Sequence, residues 1–421
     1  MVREAVMADE WSQLPRDILE LIARRLTNRF DALRFRAVCS SWRSAVSQRP
    51  HRLPGRFRIV PNEGFVETNY GFFLSKRTIF RLGSTEAPSN GWLIKVEEDD
   101  LQNILLNPLT QVQIRPLPSM LPKVLGLSDF RISELGQEYV LQEINYPAFP
   151  YLNFFNAETC FTKKVAFASS KSSISSPEDD NDDFTLLAIH VSGQLSIFKS
   201  GDEKWSIIED LLSSYSDVIC FKGKFYAVDI TGGTVIVDPS ATVSLRTFIV
   251  GPYTTAVFEG GKRYLVESEG DLLLVDLRLC RDRLDDPRSN PNFDLYSRIH
   301  PRLYERIGSP VEFKVFKLNE GRKKWVELQS LGDRLLFLGD KCSFSASASD
   351  FPGCKGNCII FPNFFTCSTG QSCYGFKYIE VFNLEDGCIG PLASYPCYSN
   401  LFWPPPSWVA SPTVGTSAQP P

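Results

Sequence analysis

The sequence predicts a mainly-β protein, in which a small α-helical hairpin precedes a closed ring of β-sheet blades. Three observations point there. Apolar runs beyond residue 60 are short, strand-like and bounded by turn residues, and Phe occurs 31 times in 421 residues, a bias that suits strands. A strand–turn–strand unit recurs at an offset of 38 residues. By contrast, "LPRDILELIARRL" at 14–26 has the spacing of an amphipathic helix.

Composition narrows the class. Apolar residues make up 43 %, enough for a sizeable core, and the net charge is −4, which favours neither nucleic acid nor an anionic membrane. No apolar run approaches the roughly 18 residues of a membrane span. "MVREAVMADE" lacks the h-region of a signal peptide, so an intracellular protein of the nucleus and/or cytoplasm is expected. The eleven cysteines are then expected to be free thiols, most of them small core residues.

In the first predicted helix, Pro15 suits the first turn, and Ile18, Ile22 and Leu26 follow at i, i+4, i+8, with Leu19 beside them. "TNRFD" interrupts, with Asp31 as the expected N-cap of a second helix in "ALRFRAVCSSWRSAV". There Phe35, Val38, Cys39, Trp42 and Val46 form one stripe. Two such short helices cannot bury both stripes against each other and remain stable alone, so another surface must cover them. Residues 24–58 hold ten Arg and a single acid, Asp31, without the stacking aromatics of a nucleic-acid surface. A basic surround to an apolar patch favours an acidic protein partner.

"WSQLPRDILELIARRL…DALRFRAVCSSWRSAV", residues 11–47, resembles the F-box in order and spacing. The resemblance implies a docking surface for the Skp adaptor, and through it for a cullin–RING ubiquitin ligase. The residues expected to carry it are Leu14, Pro15, Ile18, Leu19, Ile22, Leu26, Leu33, Val38, Cys39 and Trp42. Residues 1–10 precede it as a tail, and the Pro- and Arg-rich 48–64 follow as a linker.

Strands are expected in "YGFFLSKRTIFRL", "GWLIKVEED" and "NILLNPLTQVQIRPLP", with Asn107-Pro108 as a turn. The repeat compares "GKFYAVDITGGTVIVD" from Gly223 with "GKRYLVESEGDLLLVD" from Gly261. Tyr226 matches Tyr264, Val228 matches Val266, Gly232 matches Gly270, and both copies close on Val-Asp. A weaker copy starts at Gly332, and Lys204-Trp205 parallels Lys324-Trp325. A period near 40 suits β-propeller blades, with six or seven blades expected; a sandwich explains the repeat less well.

"FKGKFYAVD", "RYLVESEGDLLLVD", "VFNLEDGCIGPL" and "LFWPPPSWV" resemble the plant KIB-type β-propeller, over roughly residues 65–409. That resemblance implies a domain that captures a client protein, and it carries no catalytic residues to transfer. Residues 410–421 form a tail expected to be disordered.

Other chemistry finds weak support. Seven cysteines lie at or beyond 342; the Cys354/Cys358 spacing qualifies for zinc, but Cys367/Cys373 is loose and no histidine is nearby, so no metal or cofactor is expected. A carbohydrate-active propeller enzyme would use carboxylates such as Asp229, Asp238 or Asp276, for which strand-end turn roles are commoner. The Ser-rich run 169–183 and the mixed-charge run 278–298 read as loops, with Ser175 and Ser176 as phosphorylation candidates. "WPPPSW" is expected to seal the fold. The expected function is substrate recognition for an SCF-type ubiquitin ligase, without catalysis by this chain. The alternative is a non-degradative F-box scaffold.

Overall fold

The computed structural model describes residues 11, 13–25, 29–45, 71–84, 91–98, 103–110, 113–114, 130–144, 162–169, 184–190, 193–202, 205–208, 214–239, 246–249, 262–279, 311–339, 341–362 and 379–402. Among the described residues, three short helices precede the strands: α1 (Arg16–Arg25), α2 (Arg29–Val38) and α3 (Ser40–Ala45). The expected second helix is thus two, broken at Cys39. Asp31 lies inside the first turn of α2 rather than capping it.

The remainder is built from sheets. The first contains β1 (Gly71–Ser84), β2 (Gly91–Glu98), β3 (Asn103–Leu106) and β4 (Phe130–Ile144), in the order β3-β2-β1-β4. The second runs in sequence through β5 (Thr162–Ser169), β6 (Phe184–His190), β7 (Leu195–Lys199) and β8 (Ser206–Ile207). A single residue pair, Tyr139 with Val165, joins these two sheets. The third holds β9 (Tyr215–Phe221), β10 (Lys224–Asp229), β11 (Thr234–Val237) and β12 (Arg246–Ile249). The fourth holds β13 (Lys262–Ser268), β14 (Asp271–Leu279), β15 (Val311–Asn319) and β16 (Lys324–Leu328). In the fifth, β17 (Arg334–Leu338), β18 (Ser343–Ser347), β19 (Cys358–Pro362), β20 (Ile379–Asn383) and β21 (Ile389–Pro391) are ordered β18-β17-β19-β20-β21, with β17 and β19 parallel.

Five inner strands meet in a ring. β4 pairs with β5, Lys164 Nζ of β5 lies 2.5 Å from Asp217 Oδ1 of β9, and the Leu265 amide of β13 donates to Asp217 Oδ2 at 2.8 Å. Ser345 Oγ of β18 donates to the Glu267 carbonyl of β13 at 3.1 Å, and Cys342 Sγ, just before β18, donates to the Gln137 carbonyl of β4 at 3.4 Å. The circuit β4-β5-β9-β13-β18-β4 is closed. The fold is therefore a β-propeller of five blades among the described residues, not six or seven.

The miscount has a physical cause. The turns Lys222-Gly223 and Glu269-Gly270 both place two residues at positive φ, 49° and 75° in one and 53° and 78° in the other. These are the tight turns of the first hairpins of blades three and four. The phase-matched repeat therefore runs from Gly223 to Gly270, carrying Val228-Asp229 onto Val275-Asp276, a step of 47 residues. The 38-residue offset had matched β10–β11 against β13–β14, one strand out of phase. Every hairpin of an antiparallel blade alternates alike, so likeness alone does not identify which hairpin recurs. The Lys-Trp pairs are in phase: Trp205 directly precedes β8 and Trp325 lies on β16, the fourth strands of their blades.

Both faces of a blade are covered by neighbours, so the core is distributed between blades. Phe313 packs edge-on against Phe361 with centroids 4.8 Å apart, joining blades four and five. Trp325 Nε1 donates to Thr234 Oγ1 at 3.2 Å, tying blade four to blade three. The ring closes between blades five and one through the C-terminal segment, which includes α4 (Pro396–Ser399). The Leu93 amide donates to the Leu401 carbonyl at 2.7 Å, and Trp92 Nε1 to the Phe402 carbonyl at 2.9 Å. Gly91 is needed here, because a Cβ on it would stand 2.6 Å from Phe351 Cδ1. "WPPPSW", the Ser-rich run beyond Ser169 and the insertion beyond Leu279 lie outside the described residues.

Candidate functional site

The helical hairpin folds around Leu19 and Phe35, both buried. Pro15 sits just ahead of α1, and its carbonyl accepts from the Ile18 and Leu19 amides at 3.1 Å, which starts the helix. Phe35 and Trp42 pack with ring centroids 4.4 Å apart, and Trp42 Nε1 donates to the Trp11 carbonyl at 3.0 Å. Arg36 Nη1 donates to the Arg43 carbonyl at 3.1 Å and Arg43 Nε to the Arg36 carbonyl at 3.2 Å, bracing α2 against α3 across the break.

This geometry divides the expected docking residues. Leu19 is wholly inside the hairpin, and Trp42 is half-buried against Phe35. Pro15, Ile18 and Val38 face outward, with Ile18 42 % and Val38 56 % exposed; Leu14, Ile22 and Cys39 are intermediate. Leu26 and the side chain of Leu33 lie outside the described residues. Leu21 and Trp11, 55 % and 54 % exposed, enlarge the outward apolar set and were not singled out by periodicity. Their signal was only that two large apolar residues stand at positions a self-contained hairpin would make polar.

Among its described residues the propeller holds clusters of buried charge. In blade one, Arg77 Nε lies 2.8 Å from Glu97 Oε2, Arg77 Nη1 lies 3.2 Å from Glu138 Oε1, and Lys95 Nζ lies 2.8 Å from Glu138 Oε2. Asp276 in blade four pairs with Arg263 at 3.2 Å and Arg278 at 2.9 Å. Asp229 Oδ1 accepts from the Thr231 and Gly233 amides and from Thr231 Oγ1, closing the β10–β11 turn. Asp238 Oδ2 lies 3.6 Å from Lys224 Nζ. The three aspartates considered for hydrolysis thus have structural partners. On the inner strands, burial pushes the Cys220 thiol up to about 11 and raises Tyr139 above the ordinary phenol range.

The C-terminal cysteines are partly drawn together. Cys397 adjoins Cys354, and Tyr398 Oη lies 3.4 Å from Cys358 Sγ. Cys367 and Cys373 lie outside the described residues. Among the described residues no group of three or more His, Cys, Asp or Glu side chains is placed to hold a metal ion.

The family profile described as F-box domain matches residues 11–53, the region of the hairpin. The profile described as KIB1-4 beta-propeller matches residues 67–383, which covers most of the chain. The chain belongs to the plant F-box proteins with a KIB1-4 β-propeller. Among its relatives, F-box protein SKIP23 of Arabidopsis thaliana is 37 % identical over 418 residues, covering 96 % of each chain. F-box protein At2g17036 of the same plant is 32 % identical over 422 residues, covering 96 % of this chain and 95 % of the relative. At that coverage both alignments extend through the F-box and the propeller of this chain.

Proposed function

We propose that this F-box protein is the substrate-recognition subunit of an SCF-type cullin–RING ubiquitin ligase. The F-box docks on the Skp adaptor, and the propeller captures a client protein. The observation that carries this reading is the outward apolar set Pro15, Ile18, Leu21 and Val38 on a hairpin whose own core is already filled by Leu19 and Phe35. Such a surface gains on the order of 1.5–3 kcal/mol per large side chain when a partner covers it. The ten arginines of 24–58 favour an acidic partner and speed its encounter. The chain itself performs no covalent step; it raises the effective concentration of client lysines beside a charged conjugating enzyme. It acts inside the cell, in the nucleus and/or cytoplasm.

The test compares quantitative proteomes of plant cells expressing full-length protein with those expressing residues 60–409. The fragment keeps the client surface and lacks the F-box. At a concentration about 100 times Kd it leaves only about 1 % of the client free, shielding it from the intact receptor. A client should accumulate with the fragment and fall, in a proteasome-dependent manner, with the full chain. If no protein moves in opposite directions, the degradative role fails and a scaffold role replaces it.

A further inference from the structure

Cys354 and Cys397 lie on the two chain segments that close the propeller ring. Cys354 follows the 3-10 turn Ala348–Asp350, where the Asp350 carbonyl accepts from Arg81 Nη2 at 2.9 Å and Phe351 packs on Gly91. Cys397 lies in α4, just ahead of the Leu401 and Phe402 carbonyls that bond β2. The Cys397 thiol adjoins Cys354, and a Cβ built on Gly353, the residue before Cys354, would stand 3.8 Å from Cys397 Cβ. Both are partly buried against the same apolar cluster, which draws on blades one and five.

The surroundings hold the pair in register. Tyr398 Oη donates to the Lys355 carbonyl at 2.7 Å and accepts from the Lys355 amide at 3.2 Å, pinning the turn beside Cys354 to the helix that carries Cys397. The third nearby thiol, Cys358, is engaged elsewhere. It sits in β19, donates to the Gly356 carbonyl at 3.4 Å and lies 3.4 Å from Tyr398 Oη.

We propose that Cys354 and Cys397 form a reversible oxidation site, at which a peroxide joins them in a disulfide that staples the C-terminal segment to blade five and locks the ring. The Cys397 thiolate attacks one oxygen of hydrogen peroxide, leaving a sulfenic acid and releasing one water. Cys354 attacks that sulfur, forms the S–S bond and expels the second oxygen as water. Two thiols lose two electrons and one peroxide gains them. Burial and the adjoining Cys397 thiol raise Cys354 above the ordinary thiol range, which disfavours it as the first nucleophile; it gives up its proton only as it attacks the sulfenic sulfur, and that proton leaves with the expelled water. Because the stapled segment also bonds β2, the disulfide ties blade five to blade one across the closure.

The test treats reduced full-length protein with graded hydrogen peroxide, blocks remaining thiols with N-ethylmaleimide, and sequences the linked peptides by mass spectrometry. The Cys354–Cys397 peptide should appear at the lowest dose that gives any disulfide and vanish with dithiothreitol. Proteolysis within 392–402 should slow about fivefold on oxidation, since a cross-link suppresses local opening. Cys354→Ser and Cys397→Ser should each abolish that slowing. The wild-type map stands even where a variant misfolds. Maleimide on both residues while other cysteines oxidise, a Cys354–Cys358 link, or sulfinic acid at Cys397 without the linked peptide would each overturn the proposal.

Discussion

Replacing Glu138 by Ala should be among the most damaging single changes in the propeller. Its side chain is fully buried on the inner strand of blade one and neutralises two cations at once, Arg77 at 3.2 Å and Lys95 at 2.8 Å. The register places Arg77 directly opposite both Glu97 and Glu138, so the strands hold the four charges together. Without Glu138 the cluster keeps two buried cations against the single carboxylate of Glu97. Breaking a buried pair in this way costs about 3–5 kcal/mol, more than the pair's net worth, because the orphaned charge stays desolvated. Five blades spanning roughly 320 residues unfold with an entropy of about 0.7 kcal/mol/K, so the expected loss is about 4–7 °C in Tm. Scanning fluorimetry at a fixed scan rate measures it, and Asp271→Ala supplies the comparison. Asp271 pairs with Lys317 at 2.6 Å, but both side chains are more than 40 % exposed, and such pairs contribute under about 1 kcal/mol. If Glu138→Ala shifts Tm no more than Asp271→Ala, the buried cluster is not the structural element described here.

Phe402→Ala should destabilise the propeller by about 3–5 kcal/mol, since Phe402 is wholly buried where the ring closes; urea unfolding followed by tryptophan fluorescence checks this. Leu19→Ala should melt the helical hairpin while leaving the propeller transition in place, read as lost helical circular dichroism at unchanged propeller Tm. Cys342 adds an alkaline instability: burial pushes its thiol from 9.0 in the unfolded chain up to about 12 in the fold. Below pH 9 both states keep the proton and stability is unaffected; between pH 9 and about 12 the unfolded state ionises first and stability falls. Cys342→Ala should flatten that part of the pH–stability curve.

Three strands of the first blade, β1, β2 and β3, were legible because their runs are bounded by turn residues, whereas its inner strand β4 was not among the runs read. Asn107 does turn the chain, its Oδ1 accepting from the Leu109 and Thr110 amides. The repeat correctly indicated a propeller, yet it misled on blade count, because β10–β11 and β13–β14 share a hairpin pattern without sharing a place in the blade. The buried charges were harder to see. Arg77, Lys95, Glu97 and Glu138 fall on alternate, polar positions that would face solvent in a one-sided sheet. In a propeller both faces meet a neighbour, so alternation loses its usual meaning. In the F-box region, helical spacing found the apolar stripe but could not separate Leu19, which fills the hairpin, from Ile18, which faces out. That distinction depends on where α3 packs against α1 and α2, a tertiary fact. The juxtaposition of Cys354 with Cys397 is likewise invisible from spacing, since it arises only when the C-terminal segment folds back over blade five.

The receptor account is tested most directly by titrating the purified full-length protein with a recombinant plant Skp adaptor in a calorimeter. Two outward residues, Ile18 and Val38, are changed together to Asp. Neither fills the hairpin core, so folding should survive, as unchanged helical circular dichroism would report. The account predicts a saturable one-to-one complex with wild type. It also predicts at least about a hundredfold loss of affinity in the variant, from roughly 3 kcal/mol of lost apolar burial together with the cost of buried, unpaired carboxylates. Equal affinity for the folded variant, or no complex with the wild-type protein, would contradict it.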